Sequence, residues 1–397
     1  MKEEAVMDFK PLIRTRQGAW IACRRDLHRH PELGFDLPRT AGIVAAELDR
    51  LGLEVQRGVG QSGVVGLLEG HGDGPTVLVR ADMDALPVQE ENTTDYASET
   101  PGKMHACGHD GHTAVALAVA ELLSAQRDRI AGRVKFVFQP AEEIGRGADA
   151  MIKDGVLRDP VPDVAIGLHL WNEVPVGSVA LIDGPMMAAA GDVTIQITGR
   201  GGHGALPHET ADPIVAASQI ISALQTVVSR NVRPTDIGVV SITEFKAGDS
   251  FNVIPSTANL RGTIRAFRSE IMDLLAGRTR EIAGGIAGAL GCRAEVQVAQ
   301  LTLPLVNAPE VNAQLRGVFA QVAPQIKLIG DYKTMAAEDM SYFLDAIPGT
   351  FFFVGAANPA RGLDYPHHHP RFDFDEAAIP LAVDLLASAV ASYVLPE

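Results

Sequence analysis

Apolar residues follow two rhythms along this chain. Over Val64–Leu68, Thr76–Val79, Val134–Phe138, Val164–Leu168 and Thr350–Val354 they run almost unbroken, as in strands buried on both faces of a sheet. Between them lie stretches with helical spacing. Residues 11–53 read as two helices broken at HRHPELGF, where Pro31 and Gly34 interrupt; Thr113–Ala125, Gly147–Asp154 and Ala377–Tyr393 also read as helices. From Gly191 to Gln300 the rhythm changes. Val193, Ile195 and Ile197 alternate with polar residues, the period of a half-buried strand. Asp212-Pro213 opens a helix to about Arg230. Strands at Ile237–Phe245 and Ala258–Phe267, a helix at Ser269–Leu290 and a strand at Arg293–Val298 follow. The order β-α-β-β-α-β is that of a ferredoxin-like unit.

The expected fold class is therefore α/β. Residues 1–186 and 300–397 would form a domain with a mixed, mostly parallel sheet covered by helices. Residues 187–299 would form an inserted ferredoxin-like domain. A length of 397 residues suits two domains, and 46% hydrophobic residues suffice for two cores. The formal charge of −15 argues against nucleic acid or an anionic membrane as partner. The first residues lack the apolar segment of a secretion signal, and no run reaches the roughly 20 apolar residues of a membrane span. Three cysteines, Cys23, Cys107 and Cys292, are too few and too scattered for a disulfide framework, so a reducing cytoplasm is the expected compartment. Cys23 and Cys292 read as ordinary buried thiols.

Chemistry concentrates where apolar runs end. MHACGHDGH, Met104–His112, gathers thiol, imidazole and carboxylate, the side chains that hold transition metals. VLVRADMDALP offers Asp82 and Asp84, KFVFQPAEEIGRGA offers Glu142 and Glu143, and AIGLHLW offers His169. YPHHHPRFDFDE adds His367, His368 and His369. The ends of strands are where open α/β sheets place their sites. Adjacent glutamates usually form a solvated face. Here they follow the strand-like VKFVF and enter a turn, so one can bind a metal while the other handles a proton. Asp82 and Asp84 would orient a ligand histidine, and His112 would cap or pack at the start of its helix. A metal-free cysteine hydrolase using Cys107 and His109 would leave Glu142, Glu143, His169 and His368 unexplained.

Taken together, RADMDALPVQEEN, MHACGHDGH, FQPAEE, GLHLW, GRGGHGALPH and FNVIPSTANLRGTIRAF resemble the metal-dependent aminoacylases and carboxypeptidases. The branch is that of hippurate hydrolases and indole-acetyl-amino-acid hydrolases. The resemblance runs from about His28 to the C-terminal helix. It implies two divalent ions (Zn, Mn, Co or Ni) held by Cys107, His109, Glu143, His169 and His368, with Cys107 bridging where other branches keep an aspartate. PHHHP leaves His367 and His369 as alternatives to His368. Glu142 matches the general acid/base. His203 would stabilise the oxyanion, and Asn252 and Arg265 would hold the substrate's carboxylate. The implied reaction is hydrolysis of an N-acyl amino acid to a carboxylic acid and a free amino acid. A metallo-carboxypeptidase or dipeptidase using the same two ions on a short peptide is the rival. The inserted domain would serve as a lid and join a homodimer or higher homo-oligomer.

Overall fold

The computed structural model describes residues 7–395. Helices α1 (Lys10–Arg29) and α2 (Pro38–Arg50) precede strands β1 (Glu54–Val59), β2 (Gly63–Glu69) and β3 (Gly72–Asp82). Next come α3 (His109–Ser124), β4 (Ala131–Gln139), α4 (Gly147–Lys153), β5 (Val164–Pro175) and β6 (Ser178–Ala180). The middle of the chain holds β7 (Gly184–Met187), β8 (Ala189–Thr198), β9 (Gly202–His203), α5 (Pro213–Asn231), β10 (Gly238–Ala247), β11 (Val253–Ile254), β12 (Thr257–Ala266), α6 (Ser269–Ala289) and β13 (Arg293–Thr302). It closes with β14 (Leu305–Asn307), α7 (Pro309–Val322), β15 (Lys327–Ile329), α8 (Met340–Ala346), β16 (Gly349–Ala357) and α9 (Ala378–Val394).

Two compact units divide these elements. Among the described residues, one takes those up to Gly184, Val306–Lys333 and those from Asp339 on; the other takes Pro185–Leu305 and Thr334–Glu338. The short return segment joins the second unit through backbone bonds from Ala188 N to Ala336 O and from Thr334 N to Met186 O.

In the first unit eight strands pair in the order β1-β2-β4-β3-β5-β16-β6-β15. The β4/β3, β3/β5, β5/β16 and β6/β15 pairs are parallel and the other three antiparallel, a mixed, mostly parallel sheet. Side chains alternate across it. Val77, Val79 and Ala81 of β3 and Phe136 and Phe138 of β4 enter a core shared with α1, α3 and α9. Leu78, Arg80 and Asp82 point the other way. Helix α3 is buried on nearly every side, which explains its run of small and apolar residues.

The second unit is an antiparallel sheet in the order β10-β12-β8-β13, with α5 and α6 packed on it. Val193, Ile195 and Ile197 meet Ile220, Leu224 and Leu275 in a separate core. Asp212 caps α5 by accepting from the backbone of Ile214 and Val215.

Several boundaries differ from the sequence pattern. Helix α3 starts at His109 rather than Thr113, because its polar first turn is buried and hydrogen-bonded within the protein. Strand β5 runs on past Leu168, so His169 and Trp171 lie within it. Strand β1 and helices α7 and α8 carry no distinct signal in the apolar rhythm.

Candidate active site

Strands β3, β4 and β5 run parallel, so their C-terminal ends open on one edge of the sheet. Asp82 closes β3, the turn after β4 carries Glu142 and Glu143, and His169 lies along β5. Gly108, at φ 91°, adopts a left-handed conformation that side chains resist, and it swings the chain from Cys107 into α3. A Cβ on Gly111 would sit 2.6 Å from Leu170, so only glycine lets this end of the helix lie against β5.

Six side chains converge there. Cys107 Sγ lies 3.5 Å from His169 Nε2. His109 Nε2 stands 3.8 Å from Glu143 Oε1 and 3.9 Å from Glu142 Oε2. His368 Nε2 is 3.3 Å from Glu143 Oε2. Ligand atoms of Cys107, His109 and His169 fall within 4.8 Å of one another, and so do those of Cys107, Glu143 and His368. Cys107 is common to both sets.

The remaining nitrogen of two histidines is tied to main chain. His109 Nδ1 donates to the Asp84 carbonyl and His169 Nδ1 to the Leu170 carbonyl, each at 2.8 Å. Both rings thus turn Nε2 toward the centre. His109 Nε2 and Glu143 Oε1 are buried without a hydrogen-bond partner among the described residues. Buried polar atoms are ordinarily paired. A thiolate, imidazoles and a carboxylate form the donor set of a divalent transition ion, so these residues fit one. Burial opposes charge on His109, but Asp82, Asp84 and Glu143 outweigh it and push its pKa up to about 10. The cluster favours a cation, whether a proton or a metal carries the charge. Burial and the neighbouring His112 and His367 hold His169 well below the usual imidazole range.

The decisive comparison is a sequence model. The model of peptidase family M20/M25/M40 matches residues 78–392. The chain belongs to this family. It is 40% identical over 379 residues to the IAA-amino acid hydrolase ILR1-like 4 of Arabidopsis thaliana, covering 94% of this chain and 86% of that protein. It is 38% identical over 365 residues to thermostable carboxypeptidase 2 of Saccharolobus solfataricus, covering 91% and 92%. Among solved structures, the Bacillus subtilis YXEP protein, described as a dinuclear metal binding peptidase from the M20 family, superposes with a TM-score of 0.83 at 34% identity. That match covers 96% of this chain and 99% of the other.

The other expected site residues of this M20 chain fall as follows. Asp84 bonds His109 through its main chain, while its carboxylate accepts the backbone N–H of Glu142 at 3.0 Å and of Glu143 at 3.2 Å. It therefore holds the glutamate turn as well as a histidine. Asp82 does not hydrogen-bond a ligand-candidate histidine. Its Oδ1 accepts from His112 Nδ1 at 2.7 Å, and His112 Nε2 accepts from Leu170 N at 2.9 Å, so both nitrogens of His112 are occupied. Burial raises the Asp82 pKa, yet His109, Arg80 and His112 together hold it well below the usual range.

The three histidines of the PHHHP run take different partners. His367 Nε2 bonds the Leu170 carbonyl at 3.1 Å and its ring stacks on Trp171. His369 accepts from Arg371 N and stacks on Tyr365. Only His368 faces Glu143.

In the second unit, His203 and Asn252 meet at the antiparallel β9/β11 pair, where Gly204 N donates to Asn252 O. Ala205 N donates to His203 Nδ1 at 3.0 Å, which leaves the proton on the exposed Nε2. Arg265 lies near the far end of β12, away from that strand pair. It is half-buried, bonded to Thr263 Oγ1 and the Ile264 carbonyl, with no carboxylate partner among the described residues.

Two supporting groups escaped the sequence reading. Arg80, buried in β3, bonds Gln139, Asp82 and Asp339 at 2.7–3.0 Å. An arginine inside an unbroken apolar strand was its signal, because a charge buried there has to be paired. Asp110 pairs with Arg24 and His28, which no local pattern announces. All three cysteines are free, with Cys23 half-buried and Cys107 and Cys292 buried. Among the described residues no helix is long and apolar enough to cross a membrane.

Proposed function

We propose that this M20 enzyme hydrolyses the amide bond of N-acyl amino acids, using two divalent ions of Zn, Mn, Co or Ni. Cys107, His109 and His169 would hold one ion and Cys107, Glu143 and His368 the other. The buried His109 Nε2 and Glu143 Oε1, each without a hydrogen-bond partner among the described residues, carry this reading. Bound there, the ions supply Lewis acidity that makes water a nucleophile near neutral pH. Glu142, held by Asp84 through its backbone, takes a proton from the attacking water and returns it to the departing amine. His203 donates from Nε2 to the carbonyl oxygen as negative charge develops. Arg265 holds the free α-carboxylate together with Asn252 of a second copy of the chain, because within one chain the two lie at opposite ends of β12. The second unit acts as a lid and joins a homodimer, in the reducing cytoplasm that three free thiols suit.

A peptide-cleaving reading is favoured by the carboxypeptidase relative. Its substrate sets the same amide beside the same free carboxylate. Turnover of N-acetyl or N-benzoyl amino acids against dipeptides of the same C-terminal residue, with Zn²⁺, Mn²⁺ and Co²⁺, decides between them. We expect N-acyl substrates to win, and faster dipeptide cleavage would reverse the assignment. Glu142→Ala should lose roughly 10²–10⁴ in turnover while binding the same number of ions; near-wild-type turnover would remove Glu142 from its role.

A further inference from the structure

We infer that Arg24 is a positioning residue that sets the His368 segment against the Cys107–His109 turn; this rests on the ligand assignment proposed above. Arg24 lies in α1 with none of its side chain exposed. Its Nε donates to Asp110 Oδ2 at 2.8 Å, and its Nη2 donates to Asp373 Oδ1 at 2.8 Å. Asp110 directly follows His109 at the start of α3, and Asp373 lies a short way beyond His368. One planar guanidinium therefore spans two ligand-bearing segments that are remote in sequence. Its fork fixes their separation in a way a point charge cannot.

The His368 segment needs such a restraint. His368 has φ 66°, a left-handed conformation uncommon for a residue with a side chain. Its N–H donates to Ala106 O at 2.7 Å. The Asn172 amide donates to Tyr365 O at 3.1 Å and Asp373 O at 2.7 Å, clipping together the two ends of the loop that carries it. The Tyr96 hydroxyl donates to Asp373 Oδ2 at 2.6 Å, so Asp373 is gripped from both sides. Cys107, His109 and His169 are braced separately, by α3, Asp84 and β5. Loosening the Arg24–Asp373 link should therefore disturb the ion of Glu143 and His368 and spare the other.

Calorimetric titration of the ion-free full chain with Co²⁺ counts the ions and their affinities. We expect Asp373→Asn and the milder Tyr96→Phe to bind the first ion as wild type and to weaken the second about 10- to 100-fold. Arg24→Lys, which keeps the charge and loses the fork, also loosens the bond to Asp110, and should weaken the second ion more than the first. Circular dichroism checks that each variant is folded. Wild-type affinity for both ions in all three variants, or equal weakening of both, overturns the inference. His368→Ala reads the ligand assignment itself and should lose the second ion. If that variant keeps both ions, the assignment falls and this inference with it.

Discussion

Asp84→Asn tests how the glutamate turn is held. The wild-type side chain is almost wholly buried, at 1% exposure, and its two oxygens each accept a backbone N–H, from Glu142 and from Glu143. Hydrogen bonds to a charged acceptor contribute about 1.5–3 kcal/mol each. An asparagine keeps one oxygen and points its amide N–H₂ at the second backbone donor. One bond is lost, one is weakened by loss of the charge, and a buried N–H is stranded. We expect the ion-free protein to lose about 2–4 kcal/mol. The backbone carbonyl that holds His109 is unaffected by the substitution. Metal affinity should fall about 10- to 100-fold, the cost of removing a group that supports a ligand, because the turn that presents Glu143 is released. Urea midpoints of the ion-free chain and chelator competition of the loaded one give the two numbers. Wild-type metal affinity and turnover in a correctly folded Asp84→Asn protein would refute the argument that this carboxylate organises the site.

Other substitutions probe separate parts of the chain. Asp384 of α9 is buried at 7% exposure, and burial is the main cause of a pKa pushed up to about 6. Its folded-state pKa lies above the unfolded value, so the fold loses stability as pH rises from about 4 to 6 and carries the whole penalty above that. Asp384→Asn should thus gain about 2–3 kcal/mol at pH 7 and nothing below pH 4; an equal gain at both pH values would disprove the cause. Lys135 donates to the carbonyls of Val156, Arg158 and Pro160 at 2.7–2.9 Å, so Lys135→Met should cost about 2–5 kcal/mol and expose the 155–163 segment to protease. Unchanged proteolysis would show that the segment holds itself. Arg265→Ala should raise KM about 10- to 100-fold for a free-acid substrate and leave its methyl ester unaffected. Equal losses on both would mean that Arg265 does not read the carboxylate.

Several candidate groups are legible because they end or interrupt an apolar run. Asp82 follows VLVRA, Glu142 and Glu143 follow VKFVFQPA, and His169 sits inside AIGLHLW. A polar side chain at such a point has to find a partner or an ion. The alternation over β8 showed the second unit's sheet for the same reason, since one face of that strand is buried and the other is not. The supports were not legible. Arg24 meets Asp110 and Asp373 only after the chain has folded, and an RR pair in a helix looks solvated. The start of α3 was hidden by its polar residues, which resemble a loop until Asp84 and Asp82 are found to satisfy them. Asp84 was expected to orient a histidine through its side chain: that carboxylate stands 3.5 Å from His109 Nδ1, but the shorter contact, 2.8 Å, is made by its main-chain carbonyl.

That last detail bears on how the site withstands mutation. The acceptors that fix the tautomers of His109 and His169 are the carbonyls of Asp84 and Leu170. A carbonyl belongs to every residue, so no single codon change can delete either one. Genetic drift can alter the side chains around these two rings, and with them the affinity and selectivity of the centre. The direction in which each imidazole offers its lone pair is inherited with the path of the backbone.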